Sequence, residues 1–134
     1  MVTTKHVEKI LSDVAPARNF IIHNGGEVKN LKMLAEALPL MPALSFHYHV
    51  SKHHNDFAEW VRDIVGDWQL ADSIEHAETK REMAESVMHR VESLNRAVSE
   101  HSLSYDPFMF SGAKEFIVGI TIGFIIGMIF SIAI

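Results

Sequence analysis

Cysteine is absent from the chain. Its absence excludes disulfides, thiolate nucleophiles and cysteine-ligated zinc, and it fits a reducing compartment. An excess of positive charge is missing too: 12 Lys+Arg stand against 17 Asp+Glu, a formal net charge of -5. Nucleic-acid affinity comes largely from cations that neutralise phosphates. An acidic chain with no basic stripe interleaved with aromatics is therefore not expected to bind DNA or RNA. The first eight residues, Met1-Val2-Thr3-Thr4-Lys5-His6-Val7-Glu8, lack the apolar core of a secretory signal. No phosphate-cradling glycine loop, nucleophile motif or paired-carboxylate signature is present, so an enzyme is not the expected reading and no cofactor is implied.

Charge disappears altogether at the other end. Residues 116–134 contain no Asp, Glu, Lys, Arg or proline, and Thr121 and Ser131 are their only polar side chains. Nineteen residues at ~1.5 Å each reach roughly 28 Å, close to the hydrocarbon thickness of a bilayer. A small domain cannot surround a helix that is apolar on every face. The expectation is a single-pass transmembrane helix whose partner is the lipid bilayer. Nothing follows Ile134, so insertion is expected after synthesis, in the tail-anchored manner, with the amino-terminal domain facing the cytoplasm. Lys114 and Glu115 nearly cancel and add little to the orientation. Within this run Gly119, Gly123 and Gly127 recur every four residues. Small residues at that spacing let two membrane helices approach closely, which predicts a homo-oligomer.

The remainder predicts one small, mostly helical α+β domain over residues 1–101, with about two short strands, and a linker over 102–115. Tyr105, Phe108 and Phe110 in the linker suit a membrane interface. Val7, Ile10, Leu11 and Val14 predict a helix over 3–14, ended by Pro16. Phe20, Ile21 and Ile22 predict a strand over 18–23. Asn24-Gly25-Gly26 predicts a turn in which both glycines can take positive φ. Val28, Leu31, Leu34, Ala35 and Leu38 predict a helix over 27–38, bracketed at its exit by Pro39 and Pro42. Leu44, Phe46, Tyr48 and Val50 alternate with Ser45, His47 and His49, which predicts a half-buried strand over 44–50. Asp56 and Glu59 form a capping box for a helix that buries Phe57, Trp60, Val61, Ile64 and Val65. Gly66 stops it, and Asp67 caps a short helix running to Ile74. Thr79-Lys80-Arg81-Glu82 is a second capping box, opening a long helix to about His101. Its seam of Ala84, Val87, Val91, Leu94 and Val98 fits docking on the domain's own core or a short coiled coil with a second chain. The expected core gathers Leu31, Leu34, Phe46, Tyr48, Phe57, Trp60 and Ile64.

The middle of the chain carries a resemblance. Phe20-Ile-Ile-His-Asn-Gly-Gly-Glu-Val-Lys-Asn-Leu31, Leu34-Ala-Glu-Ala-Leu-Pro-Leu-Met-Pro42, Phe46-His-Tyr-His-Val50 and Asn55-Asp-Phe-Ala-Glu-Trp-Val-Arg-Asp-Ile-Val-Gly-Asp67 resemble a family of uncharacterised small domains found mainly in archaea and in some bacteria. The similarity extends over residues 20–94 and takes in Arg90, Val91 and Leu94. It departs at Ser51 and His54, where that family more often has asparagine and lysine. The resemblance implies a shared α+β fold and no activity. It singles out His49, Asn55, Asp56, Trp60, Asp63 and Asp67, most of which have a structural account as caps and core.

Of the nine histidines, His47, His49, His53 and His54 fall within eight residues, near Asp56. On a strand His47 and His49 would share one face, and His53 or His54 could add a third imidazole to one ion. The competing reading is a set of partly exposed histidines on a polar face. The sequence therefore carries two functional readings. One is a membrane-tethered interaction or adaptor domain with a cytoplasmic protein partner. The other is a membrane-anchored histidine metal-binding protein.

Overall fold

The computed structural model describes residues 4–77 and 79–104. The chain divides into two compact units, Met1–Val98 and Ser99–Ile134. The expected linker from residue 105 on, the transmembrane run at 116–134 and its glycines Gly119, Gly123 and Gly127 all lie outside the described residues. Among the described residues no helix is long and apolar enough to cross a membrane.

The first unit is mostly helical, with one two-stranded antiparallel sheet, a small α+β arrangement. Helix α1 (Thr4–Leu11) is shorter than expected and buries Val7 and Ile10. A 3-10 turn at Pro16–Arg18 leads into β1 (Phe20–Ile21), which pairs with β2 (Glu27–Val28) through Phe20 opposite Val28. The turn between them forms at the expected place, but its left-handed residue is Asn24, at φ 53°, and neither neighbouring glycine has positive φ. Gly25 is needed for closeness instead: a Cβ there would meet Ile22 Cγ2 at 2.7 Å.

The expected helix over 27–38 begins later, as α2 (Leu31–Leu40). Val28 belongs to the sheet, and Asn30 stops the strand and caps the helix by accepting the Met33 N–H at 2.8 Å. Pro39 sits inside its last turn. The exit of α2 is held by Lys80, whose ammonium donates to the carbonyls of Pro39 (3.2 Å) and Met41 (2.6 Å). A cation is well placed at a helix carboxyl end, where carbonyls lack helical partners.

The expected strand over 44–50 is a helix, α3 (Ala43–His49), entered through Pro42. Its buried residues are Ser45, Phe46 and His49, while Leu44 and Tyr48 are 77% and 59% exposed. The alternation placed Leu44, Phe46 and Tyr48 on one inner face. The helix turns only Phe46 inward, and brings in His49, which the pattern counted as polar.

Helix α4 (Asp56–Trp60) runs on into a wide π turn, Val61–Val65. Its cap is Asn55 rather than Asp56: the Asn55 side-chain oxygen accepts the Ala58 N–H at 3.1 Å. The Asn55 amide also donates to the Ile74 carbonyl at 2.9 Å, tying the start of α4 to the end of α5 (Trp68–Glu75). Gly66 ends the turn at φ 84°, as the stop signal expects. Asp67 caps α5 by accepting the Leu70 N–H at 3.2 Å.

Helix α6 (Lys80–Ser104) opens with the expected capping box, in which Glu82 N–H donates to Thr79 Oγ1 and Thr79 N–H to Glu82 Oε2. Met83, Ala84, Val87, Val91 and Leu94 join the core, with Val98 packed at its edge. The seam is thus filled by the domain's own residues, and the inter-chain coiled coil through it is set aside. Phe57, Leu31, Leu34, Phe46 and Trp60 are buried as expected; Ile64 is half-buried and Tyr48 is outside.

Candidate functional site

The histidines separate according to the helix that replaces the expected strand. Positions two apart on a helix point about 200° apart. His47 is exposed and His49 is buried, so they do not share a face.

His49 sits at the meeting point of α3, α4 and the β1–β2 turn. Its Nε2 accepts the backbone N–H of His23 at 2.9 Å. An imidazole nitrogen that accepts carries no proton, so the hydrogen sits on Nδ1, which donates to Asp56 Oδ2 at 2.9 Å. Phe20, Phe57 and Tyr48 surround the ring at centroid distances of 4.9, 5.3 and 5.1 Å. Both nitrogens are used, so His49 is neither an open metal ligand nor a free base. Replacing it with leucine would leave the half-buried His23 N–H without its acceptor and Asp56 without its donor. The expected cost is about 1–3 kcal/mol with secondary structure unchanged, read as a shift of the urea midpoint. An unchanged midpoint would mean that the ring does not hold these elements together.

His53 and His54 lie in the short loop after α3, both exposed. The loop is closed by the Ser51 N–H donating to the His54 carbonyl at 2.9 Å, and Val50 bridges to Asn55. His54 Nε2 lies 3.9 Å from Asp56 Oδ1. The Asn55–Ile74 bond brings the end of α5 alongside, so His53, His54, Glu59, Glu75 and His76 line one small cleft. His47 lines a neighbouring cleft with Glu75 and His76. His76 is the member that sequence spacing missed, since it arrives from the far end of another helix. Among the described residues no three His, Asp or Glu side chains are arranged to hold a metal ion.

Two further features complete the polar framework. Asp67 receives the Arg90 guanidinium through two bonds, Nε to Oδ2 at 2.7 Å and Nη2 to Oδ1 at 3.0 Å. Trp60 Nε1 donates to the Arg18 carbonyl at 2.9 Å. The residues that the family resemblance singles out are therefore mostly spent inside the fold: His49 on Asp56, Asn55 on Ile74, Trp60 on Arg18 and Asp67 on Arg90. Asp63 alone among them is exposed.

Beside the seam, the exposed flank of α6 and the end of α2 form an open groove of about 600 Å³. Pro39, Ala84 and Met88 give it apolar walls, Arg81 stands at one end and Glu92 at the other. Met88 is 42% exposed there. Comparison with protein-family models, curated proteins and solved structures finds no match for this chain.

Proposed function

We propose that the chain is a membrane-tethered interaction domain, held at a cytoplasmic membrane face by residues 116–134 and self-associating through Gly119, Gly123 and Gly127. The observation that carries this reading is the uncharged terminal run, set against residues 1–115, which hold every charged side chain of the chain. The economy of the first unit supports it. His49, Asn55 and Asp67 are consumed in joining its elements, and one of its clefts is an open groove with apolar walls.

Full-length chain expressed in cells is expected to stay in the membrane pellet after alkaline carbonate extraction, while a chain truncated before Phe116 is expected to be soluble and folded. Recovery of the full chain in the supernatant would remove the anchor from the proposal.

The second reading, a membrane-anchored metal binder, draws on the cleft shared by His53, His54 and His76. We expect no tight site there, because His49 is committed elsewhere. Elemental analysis of the dialysed protein should find well under one zinc per chain. A stoichiometric zinc that disappears in His53→Ala/His76→Ala would reverse the ranking of the two readings.

A further inference from the structure

We infer that the outer groove of α6 is a docking surface for a second copy of this chain, with the two α6 helices running antiparallel about a twofold axis. The inference rests on the reading of the chain as a self-associating module and supplies a contact in its first unit. Arg81, Glu85, Met88 and Glu92 follow one another at steps of four, three and four, so they form one stripe along the helix, with Ala84 at its edge. The buried seam of Val87, Val91 and Leu94 occupies another face, which leaves this stripe open.

Charge selects the occupant and its direction. The stripe begins with a cation, Arg81, and ends with an anion, Glu92, with Glu85 and Met88 between them. A parallel copy would set Arg81 on Arg81 and Glu92 on Glu92. An antiparallel copy sets Arg81 of each chain on Glu92 of the other, twice, with Met88 of each chain across from Glu85 of the other, close to the axis. Self-complementarity of this kind is what an isologous twofold interface requires. Arg81 has one competing partner, Glu85, at 3.6 Å with both side chains largely exposed. An exposed pair of that kind holds an arginine only weakly. Lys80 lies at the same end but is engaged with the carbonyls that close α2, so it stays out of the exchange. A stripe of a few side chains falls short of the roughly 20–30 residues a side of a standard interface. Contact through it is therefore expected to be weak in dilute solution and favoured where chains are concentrated on a surface.

The absence of cysteine makes the test clean. Met88→Cys places one thiol per chain near the proposed axis. Full-length chain reconstituted in phosphatidylcholine vesicles is treated with a short bifunctional thiol reagent, in a Gly123→Ile background that removes the glycine contact. The expected result is a crosslinked dimer, reduced about tenfold by Arg81→Glu and likewise by Glu92→Arg, a change equivalent to ~1.4 kcal/mol. Combining the two substitutions in one chain should restore it, because the swapped charges again face each other. Crosslinking that ignores the single charge reversals, or is absent in every variant, overturns the inference. Crosslinking at position 88 that vanishes with Gly123→Ile alone also overturns it, while leaving self-association through the glycines standing. Failure of the chain to enter vesicles would overturn the anchor but not the groove contact, since the charge-swap pattern can then be read in concentrated solution.

Discussion

Asp67→Ala is expected to destabilise the domain by about 3–5 kcal/mol, the range seen when one partner is removed from a buried ion pair. The carboxylate does two things at once. Its side chain is only 1% exposed, and it both caps α5 and receives Arg90 through two bonds. Alanine loses the cap, and it strands a guanidinium whose remaining partner is Gln69 Oε1 at 3.0 Å. The guanidinium is 25% exposed and can recover some hydration. Arg90→Met is expected to cost at least as much, because it leaves the charge on the side that water reaches least. Asp67→Asn separates the roles: the amide oxygen can still cap, but the charge is gone, so its cost should fall between wild type and alanine. Urea unfolding of wild type, the three single variants and the double variant measures this. Additive losses in Asp67→Ala/Arg90→Met would show that the two side chains do not interact in solution.

Trp60→Ala should cost about 3–5 kcal/mol, as large-to-small changes of enclosed aromatics do. Trp60 is 7% exposed, meets Phe20 edge-on at 5.9 Å and holds the Arg18 carbonyl through its indole nitrogen. That bond joins α4 to the 3-10 turn 42 residues earlier, so the substitution loosens a long-range tie as well as opening a cavity. For a domain of this size the loss corresponds to a fall in Tm of at least about 12 °C. Trp60→Phe retains most of the apolar area and loses the bond, so it should sit well above alanine. A Tm unmoved by Trp60→Ala would make the residue a surface group.

The parts of this fold that were legible in advance are those with local chemistry. Thr79 and Glu82 cap each other, Gly66 takes the left-handed conformation that stops a helix, and Asp67 starts the next one. Each involves residues at most a turn apart, and each needs a particular side chain or the lack of one. The seam of α6 was legible because its spacing holds over many residues.

The failures arose where two periods fit the same short stretch. Phe46 and Val50 are four apart, which suits a helix as well as a strand, and seven residues give too few repeats to decide. Counting histidine as polar tipped the choice, although His49, with both nitrogens bonded and three rings around it, is a core residue. Val28 misled in a similar way. Its distance from Leu31 fits a helix, yet Asn30 between them is the cap that separates strand from helix.

The candidate site was less legible than the fold, for a reason of distance along the chain. His53 and His76 share a cleft because Asn55 reaches Ile74, and no local spacing encodes that meeting. Arg90, Asp67, Asn55 and His49 stand apart along the chain, and in three dimensions they are the joints between its elements.

The wide turn at Val61–Val65 has a consequence for how this chain can change in length. Between Asn55, fastened to α5, and Asp67, fastened to α6, it fixes the rotational phase at which one anchorage follows the other. Each residue of helix contributes about 100° of rotation. Deleting one residue to regularise the turn would swing the Asp67 carboxylate away from Arg90 while Asn55 stayed in place, and adding one would overshoot by a similar angle. Insertions and deletions are therefore excluded from residues 55–67. They are better tolerated in the exposed loop at 51–54, which closes on itself through Ser51 and His54 and can lengthen without turning either helix.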